Sequence, residues 1–597
     1  MVDTVDGIVV DFSRDNLFDE LGLKRLKESY MREEESSPQE RFAYVSKAFG
    51  SNQEHSQRLY EYSSKHWLSY STPILSFGRS KRGLPISCFL PYLHDSAEGL
   101  VDCLAEVNWL SMLGGGVGIG VGIRSTDDKS VGVMPHLRTY DASSLAYRQG
   151  RTRRGSYAAY LDISHPDILI FLEMRKPTGD QNMRCLNLHH GINITDDFMR
   201  IIEQCMLDPE FDDTWELKDP HNNEVRDTIP ARELWQRILE MRMMTGEPYL
   251  HFIDTSNRMM PEFQKKLGLS IKQSNLCSEI ILPTDKDRTA VCCLSSVNLE
   301  YYDEWRTDTN FLRDIAEMLD NVLEYFISNA PEAISRAKYS AIRERSIGIG
   351  ALGFHAYLQR NSFPWESAQA VGRNKQIFKH IRGKLDEANL QLGSERGEAP
   401  DAVGTGRRFS HMLAIAPNAS SSIIMGNTSP SIEPYRANAY RQDTLSGASL
   451  NKNKWLDRII KGLVQTENEY NDVWSSIIAN DGSCQHLDIL DEWQKDVFKT
   501  GMEIDQRWVI QHAADRQEFI DQAQSLNVFF RPDVNVKYLH AVHFQAWKQG
   551  LKTMYYCRSE KLAKADKVSK RIERNVIEEI DMKALASTEE VCLACEG

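Results

Sequence analysis

Three side chains that could act together in one reaction lie at alternate positions in QSNLCSEI, residues 273–280. In an extended chain, residues i, i+2 and i+4 point to one face, so Asn275, Cys277 and Glu279 would lie side by side. An amide, a sulfur that reacts as a nucleophile or as a one-electron centre, and a proton acceptor would form a small reaction centre. The alternative is an ordinary strand with a buried cysteine, because free cysteine is often simply a core residue.

Cysteine is the residue type most able to supply redox chemistry, and the chain contains 11 cysteines. Their odd number and their scatter, without a secretory signal, argue against a secreted disulfide framework. A zinc site is not expected either, because the only C-x-x-C pair has no second pair at metal-ligand spacing. We expect most of the thiols to be core residues and the functional ones to be reactive. The positions are Cys88, Cys103, Cys185, Cys205, Cys277, Cys292, Cys293, Cys484, Cys557, Cys592 and Cys595.

Two segments have the composition of an anion site. The glycines of GGGVGIGVG, residues 114–122, would let backbone amides approach a phosphate. Neither a dinucleotide fingerprint nor a P-loop fits them, and a tight entry into a strand is the alternative. In PNASSSIIMGNTSPSIEP, residues 417–434, three serines precede an apolar run. Hydroxyls at a helix start lie beside free backbone N–H groups, which favours an anion site over a single helix cap.

Adjacent aromatic residues and paired histidines complete the set of candidates. KTMYYCRS, residues 552–559, contains Tyr555 and Tyr556. The pair predicts either an aromatic β-strand or two stacked phenols that pass an electron and a proton. Adjacent histidines are poorly placed to chelate one metal, and two histidines three residues apart without a third ligand are equally weak evidence for a metal site. We therefore expect structural or hydrogen-bonding roles for both pairs and no metal. The histidine pairs are His189 with His190, and His540 with His543.

The elements that must position these residues alternate along most of the 597-residue chain. Residues 1–69 read as a charged helical region, and residues 70–559 alternate short β-like runs with helical stretches, which indicates an α/β core with much parallel sheet. The predicted strands include PISCFLPYL, VGIGVGIRS, AAYLDIS, HHGINITDD, EIILP and AVCCLSSVNL. Residues 560–597 are charge-dense and poor in apolar residues, which predicts a mobile tail. A mobile tail that ends in C-x-x-C suggests thiols that are delivered elsewhere.

Charge and composition exclude several classes of function. The net charge of −14 argues against nucleic-acid binding through a basic surface, although local phosphate pockets stay possible. The acidic N-terminus has no signal peptide, and no apolar run approaches the length of a membrane span. The sequence therefore predicts a cytoplasmic enzyme, or one in a host cytoplasm if a phage encodes it.

Taken in order, these motifs resemble the large (α, catalytic) subunits of ribonucleotide reductases. The resemblance covers residues 70–597 and is specific, because several motifs occur in the same order. It implies a ten-stranded α/β barrel of two five-stranded halves, in which QSNLCSEI is a finger loop that carries its cysteine into the centre. The motifs are SYSTPILSFG, PISCFL, GGGVGIGVG, RRGSYAAYL, QSNLCSEI, CCLSSVNL, PNASSSIIMGNTSPSIEP, the tyrosine pair and the terminal C-x-x-C.

The resemblance also implies a role for each reactive residue. The activity would be radical-based reduction of ribonucleoside diphosphates to 2′-deoxyribonucleotides, with a disulfide as acceptor. Cys277 would be the thiyl radical that takes the 3′-hydrogen, Glu279 the general base for the 3′-hydroxyl, and Asn275 the group that orients the sugar hydroxyls. Cys88 and Cys292 would be the dithiol that protonates the departing 2′-oxygen and ends as a disulfide, while Cys293 would point to the other side of its strand. Cys592 and Cys595 on the tail would re-reduce that disulfide, and a thioredoxin- or glutaredoxin-type protein would then recharge them.

By the same resemblance, hydroxyls and backbone amides would hold the substrate phosphates, although Asn418 and Ala419 differ from the residues that relatives carry there. Asp95 would contact the specificity effector, a dNTP or ATP, and Arg184 would link the effector and substrate pockets. The substrate-binding set would be Thr72, Ser87, Gly116, Pro417, Ser420, Ser421 and Ser422.

Tyr555 and Tyr556 match the end of the radical path in class I enzymes, in which a separate ferritin-like β subunit with a dinuclear metal generates the oxidant. The alternative is a class II enzyme that uses adenosylcobalamin and does not need the pair. An inactive nucleotide-binding regulator is the remote alternative, and it is opposed by the presence of Cys88, Cys277, Glu279 and Cys292. The short N-terminal region predicts that the ATP-cone, a regulatory domain of many relatives, is absent. The expected unit is a homodimer.

Overall fold

Extended segments of the chain close into a barrel in the computed structural model, which describes residues 3–80, 83–147, 155–444 and 447–559. A short hairpin and three helices precede the barrel. The helix α2 begins with a capping box of Ser37 and Glu40 around Pro38, which explains its sharp start. These first elements are β1 (Thr4–Val5), β2 (Ile8–Val9), α1 (Glu20–Ser29), α2 (Pro38–Phe49) and α3 (Gln53–Ser64).

The remaining elements alternate strands and helices, as the sequence predicts. The strands are β3 (Leu68–Tyr70), β4 (Cys88–Leu90), β5 (Tyr92–His94), β6 (Gly116–Gly122), β7 (Tyr157–Asp162), β8 (Leu188–Ile194), β9 (Thr214–Lys218), β10 (Val225–Pro230), β11 (Tyr249–Phe252), β12 (Ala290–Asn298), β13 (Ile347–Leu352), β14 (Ala439–Thr444), β15 (Gly447–Lys452), β16 (Val528–Phe530), β17 (Thr553–Met554) and β18 (Cys557–Ser559). The helices are α4 (Thr72–Leu75), α5 (Ala97–Met112), α6 (Val133–Ala146), α7 (Ile168–Leu172), α8 (Asp196–Leu207), α9 (Ala231–Thr245), α10 (Ile253–Arg258), α11 (Glu262–Lys266), α12 (Tyr302–Trp305), α13 (Phe311–Asn329), α14 (Ser335–Glu344), α15 (Phe354–Arg360), α16 (Ala368–Arg396), α17 (Ala419–Ile424), α18 (Lys454–Leu463), α19 (Glu467–Ala479), α20 (Glu492–Val497), α21 (Gln506–Gln517) and α22 (Val536–Lys548).

The barrel consists of two parallel halves. The first half is the run β4, β6, β7, β8 and β11. The second half starts with β12 and β13, continues through extended segments around Leu413 and Gln524, and ends at β17. The halves meet antiparallel at both seams, where β12 pairs with β4 and β11 pairs with β17. The Tyr555 N–H donates to Leu526 O at 2.9 Å and joins the last two segments. The predicted α/β barrel of two five-stranded halves is therefore confirmed.

Helices cover the outside of the barrel, so its strands are buried on both faces. All nine residues of β12 and all seven of β8 are buried, which is typical of parallel strands inside an α/β fold. The helix α13 packs on β12 through buried residues spaced three and four apart, including Phe311, Ile315, Leu319 and Val322. Within the described ranges, every helix is too short or too polar to cross a membrane.

Two predicted strands, EIILP and the alternating QSNLCSEI, are not strands in the structure. Both lie in the loop between α11 and β12, where Ile271 and Pro283 form only an isolated bridge. Alternating polar and apolar residues are common to strands and to loops that are buried on all sides, so the pattern alone could not separate the two. The other predicted strands are confirmed, and helices such as α9 and α13 lie between them, as the predicted alternation requires.

Candidate active site

The finger loop, residues 273–280, enters the barrel and is entirely buried. It passes so close to β6 that a Cβ on Gly118 would lie 2.2 Å from Ser274 O and 2.6 Å from Asn275 Cα. Only glycine permits that approach. From β7, the Tyr160 hydroxyl donates to Asn275 O at 2.6 Å. Two neighbouring strands therefore fix the base of the loop.

A turn, and not strand alternation, brings the reactive side chains of the loop together. Asn275 Oδ1 accepts a hydrogen bond from the Ile280 N–H at 3.1 Å, and Ser274 Oγ donates to Ile280 O at 2.8 Å. Ser278 has φ +69°, in the left-handed region, where the chain reverses. The prediction of one extended face is therefore wrong. Asn275 and Glu279 reach one neighbour, Cys88, whereas Cys277 at the tip reaches Tyr555.

The predicted dithiol lies across one seam of the barrel. Cys88 on β4 and Cys292 on β12 are direct partners in the antiparallel pairing, and both thiols are free. Such partners have Cα atoms about 4.5–5.5 Å apart, which is within the range of disulfide geometry. Burial raises the pKa of the Cys292 thiol well above its ordinary value, and the neighbouring thiols of Cys293 and Cys88 add to the effect. Cys292 is therefore a protonated thiol at neutral pH.

Polar groups from the finger loop and from the segment around Gln522 surround these sulfurs. Asn275 Nδ2 donates to Cys88 Sγ at 3.3 Å, and Cys88 Sγ lies 3.8 Å from Glu279 Oε1. Gln522 Nε2 donates to Cys292 Sγ at 3.5 Å. Cys293 points away, since its sulfur contacts Leu319 O at 3.5 Å outside the barrel, as its place in the strand predicts.

Two residues that the sequence analysis missed hold the finger loop from the second half of the barrel. Ser525 Oγ donates to Glu279 Oε2 at 3.0 Å and also hydrogen-bonds Cys277 O. The Ala523 N–H donates to Glu279 O at 2.9 Å. In the segment IDQAQSLNVF, residues 520–529, polar residues lie between apolar ones, and this pattern was the available signal. The sequence could not show the partner, because Ser525 and Glu279 are 246 residues apart.

The two tyrosines lie between β17 and β18 and lead from the finger loop toward the barrel wall. Tyr555 OH donates to Cys277 Sγ at 3.4 Å. The rings of Tyr555 and Tyr556 have centroids 4.3 Å apart, and a third ring, Tyr249 on β11, lies 4.7 Å from Tyr555 and 5.1 Å from Tyr556. Arg242 donates to Tyr555 O at 3.0 Å, which fixes the backbone of the pair. The structure thus brings Cys277, Tyr555 and Tyr556 into one continuous contact.

The adjacent histidines of β8 share a buried carboxylate near this chain of rings. His189 Nδ1 lies 2.6 Å from Glu247 Oε1, and His190 Nδ1 lies 3.1 Å from Glu247 Oε2. Burial alone would raise the pKa of Glu247, but Arg175 and His189 outweigh it and hold that pKa well below its ordinary value. The Tyr556 oxygen lies 3.4 Å from His189 Nδ1. The predicted hydrogen-bonding role of the pair is confirmed, and its neighbour Glu247 was missed.

One group in the described part of the chain, His55 with Asp314 and Glu317, has the geometry to hold a metal. The Asp314 carboxylate already accepts two hydrogen bonds from Arg58, at 2.6 and 2.9 Å. Arg396 lies 2.7 Å from Glu317. These arginines neutralise the carboxylates, so the group is an ion-pair network and not a candidate cation site.

The sequence-predicted phosphate residues come from four separate segments. Thr72 begins α4, and Gly116 begins β6, where it pairs with Cys88. The Gly116 N–H donates to Ser87 O at 2.8 Å, whereas Ser87 Oγ is buried without a hydrogen-bond partner among the described residues. Pro417 precedes α17, which Asn418 enters with φ +54°, and all three serines lie in its first turns. Ser420, Ser421 and Ser422 are buried.

The predicted effector residues lie on two loops outside the barrel. Asp95 follows β5 and pairs with Arg124 at 2.9 Å, and His221 lies 3.6 Å away. Arg184 donates to Thr178 O at 2.9 Å within the polar loop that precedes β8. Cys592 and Cys595, and the paired arginines of RRGSYAAYL, lie outside the described residues.

Comparisons with known proteins agree with this architecture. The family described as "Ribonucleotide reductase, barrel domain" matches residues 86–405 and 399–557, and "Ribonucleotide reductase, all-alpha domain" matches residues 16–83. The chain is 54% identical to a ribonucleoside-diphosphate reductase large subunit of Invertebrate iridescent virus 3, over 99% of this chain and 100% of the relative. It is 40% identical to the corresponding subunit of Invertebrate iridescent virus 6, over 94% of each protein. Among solved structures, an Actinobacillus ureae class Id ribonucleotide reductase alpha subunit matches with TM-score 0.80 and 34% identity, over 92% of this chain and 98% of the other.

The barrel holds one thiol on a central loop and two more on paired strands, which suits a thiol-dependent oxidoreductase. With the family matches over most of its length, the chain belongs to the ribonucleotide reductase family and is a large subunit of that family.

Proposed function

We propose that the chain is the catalytic subunit of a class I ribonucleoside-diphosphate reductase, with Cys277 as the radical residue. The observation that carries the proposal is the 3.4 Å contact between Tyr555 OH and Cys277 Sγ, with the tilted ring of Tyr556 next in line at 4.3 Å between ring centroids. Once Tyr555 has been oxidised to a phenoxyl radical, it can take an electron and a proton from the thiol that it contacts, which restores the phenol and leaves a thiyl radical on Cys277. The class Id assignment of the structural relative supports class I.

The arrangement around Cys277 fits each step of the reduction. The thiyl radical takes the 3′-hydrogen atom, and Glu279 accepts the 3′-hydroxyl proton. The 2′-hydroxyl leaves as water with a proton from one thiol of the Cys88–Cys292 pair, and C2′ receives the hydrogen of the other thiol. The pair thereby supplies two electrons and becomes a disulfide, and Glu279 returns its proton to the 3′-oxygen. Cys277 then returns its hydrogen atom to C3′ and regenerates the thiyl radical. Atoms and electrons balance as one dithiol oxidised for each deoxyribonucleotide formed.

Substrate binding is proposed for the hydroxyl- and amide-rich segments near this centre. Ser87 directly precedes Cys88, and its buried hydroxyl has no partner among the described residues, so it is available for a ligand. Thr72, Gly116, Pro417 and the serines of α17 would complete the phosphate contacts. The proposed dNTP or ATP effectors would bind near Asp95 and Arg184, in an α₂ dimer.

The oxidant is proposed to come from a separate β subunit that docks beside the tyrosine pair. An open groove of about 880 Å³ lies among α8, α9 and α22, and Ser559, three residues after Tyr556, is part of its lining. Cys205, Met206, Trp235 and Leu539 line it. Met206 is 54% exposed, so this surface has apolar area available for a partner. Cys592 and Cys595 are proposed to re-reduce the active-site disulfide and to be recharged by a thioredoxin- or glutaredoxin-type reductant.

The test is turnover of a ribonucleoside diphosphate with a dithiol reductant and a dNTP effector. One reaction contains a metal-loaded β subunit, and the other contains adenosylcobalamin. We expect deoxyribonucleotide only with β, and none with Tyr555→Phe, because phenylalanine stacks but cannot exchange a proton. Thr553→Val in the neighbouring strand is the matched control. Turnover with adenosylcobalamin alone would overturn the class I assignment and leave the tyrosine pair a structural role.

A further inference from the structure

The N-terminal helix α1 lies directly against the proposed phosphate segment, although the two are about 400 residues apart in the sequence. A Cβ built on Gly22 would lie 3.1 Å from Ile423 O and 3.7 Å from Ile424 Cα, so the two backbones are in close contact. Residues three apart on a helix share a face. The close approach at Gly22 therefore places Arg25 over the start of α17, where its Nη2 donates to Ser420 Oγ at 2.9 Å.

Arg25 also lines a small cavity that reaches a second proposed phosphate residue. The cavity has a volume of about 150 Å³, and Thr72, Ser76, Arg79 and Gly114 line it together with Arg25. In its wall, the Tyr30 hydroxyl lies 3.4 Å from Thr72 Oγ1. Among the described residues that line this cavity, two are arginines and none is acidic. The two arginines therefore give the wall of this cavity, which includes Thr72, a positive charge, and Arg25 connects the cavity to Ser420.

The charge matters because the other candidate phosphate ligands are all neutral. Thr72, Ser87, Gly116 and the serines of α17 offer hydroxyls and backbone N–H groups only. A diphosphate carries several negative charges, and hydrogen bonds from ionised donors are roughly twice as strong as neutral ones. The planar guanidinium of arginine can also bond two phosphate oxygens at once. A single arginine within reach of Ser420 would supply what the neutral set lacks.

We propose that Arg25 is a direct ligand of the terminal phosphate of the substrate, so that the N-terminal helical region takes part in choosing a diphosphate. The inference rests on the proposed function, because it assigns a ligand to the same site. Before substrate binds, the hydrogen bond to Ser420 holds the guanidinium at the edge of the cavity. When the diphosphate enters, both Arg25 and Ser420 bond its oxygens.

The test compares Arg25→Met, which keeps the apolar stem of the side chain but removes its charge, with Arg25→Lys, which keeps a charge but loses the fork. Lys27→Met is the matched control, because Lys27 lies on the same helix with its side chain exposed. In the assay with the β subunit, we expect KM for the diphosphate to rise about 10- to 150-fold in Arg25→Met, the range for a lost charge-assisted hydrogen bond. We expect KM to rise less in Arg25→Lys, and kcat of both Arg25 variants to stay within about twofold of the parent value. In Lys27→Met, neither KM nor kcat should change.

Direct binding separates a phosphate ligand from a residue that only packs α1 onto α17. We expect Arg25→Met to lose affinity for a ribonucleoside diphosphate and for inorganic pyrophosphate, while the affinity for the phosphate-free nucleoside is unchanged. Equal losses for nucleoside and diphosphate would overturn the inference, as would a diphosphate KM within about threefold of the parent. If Arg25→Met does not fold, the same comparison is made with Arg25→Lys. The binding measurement does not depend on turnover. An inactive parent enzyme would therefore count against the proposed function, whereas the affinities would still decide the role of Arg25.

Discussion

Ser525 offers a sharp test of how the second half of the barrel controls the finger loop. Its hydroxyl donates to Glu279 Oε2 at 3.0 Å and hydrogen-bonds Cys277 O, so one side chain holds both the proposed base and the backbone of the proposed radical residue. The two acceptors share the single hydroxyl hydrogen, and Ser525→Ala removes that donor from both. A hydrogen bond to a charged group contributes about 1.5–3 kcal/mol. Because about 1.4 kcal/mol corresponds to a tenfold change in rate, we expect kcat to fall about 10- to 150-fold.

The assay is steady-state turnover with the β subunit across pH, together with urea unfolding. A carboxylate that has lost a donor holds its proton more tightly, so the acid limb of the kcat profile should move to higher pH. The free energy of unfolding should fall by about 1–3 kcal/mol, since two buried acceptors lose a partner.

Thr553→Val is the control, because Thr553 Oγ1 donates to Gln524 O at 3.0 Å in the adjoining segment and has no hydrogen bond to the finger loop. It should lose stability similarly but keep kcat and the pH profile. If Ser525→Ala turned over within about twofold of the parent, with an unchanged acid limb, then Ser525 would not hold Glu279 and the reasoning would fail.

Three further predictions follow from the same geometry. Gly118→Ala should cost about 1–3 kcal/mol of stability and about 100-fold in kcat, because its Cβ would lie 2.2 Å from Ser274 O and displace the finger loop; near-parental turnover would contradict the close packing. Cys292→Ser should abolish multiple turnover and leave no disulfide detectable by thiol titration after reaction with substrate, whereas Cys293→Ser should stay active, because Cys293 points out of the barrel. The free energy of unfolding should fall between pH 7 and pH 5.5, because burial lowers the pKa of five histidines to about 3 or 4, below the unfolded value of 6.5. The unfolded chain then binds more protons, so this contribution to stability is complete above about pH 6.5 and is lost by about 1.4 kcal/mol per histidine for each pH unit below that value. The measurement is denaturant unfolding at pH 7 and at pH 5.5. Equal free energies of unfolding at the two pH values would contradict the prediction and show that these histidines ionise in the folded protein. The histidines are His66, His251, His355, His411 and His512.

Much of the barrel could be predicted from local patterns. The strands β6, β7, β8 and β12, and the helices α9 and α13, have enough residues of one periodicity to identify themselves. The order of the motifs identified the family, and it placed Cys88 and Cys292 together before any pairing was known. The finger loop is where the local pattern failed. Its alternation fits a strand, but Ser278 adopts a left-handed φ because the loop must reverse inside the barrel.

The sequence by itself determined which residues can react: the thiols, the carboxylate of Glu279 and the two phenols. Only the tertiary structure decided which of them touch. Side-chain patterns report neighbours within a few positions along the chain, whereas the hydrogen bond from Ser525 to Glu279 spans 246 residues and that from Arg25 to Ser420 spans 395. Such contacts depend on closing the barrel, a step in which the whole hydrophobic core and not any single segment supplies the free energy.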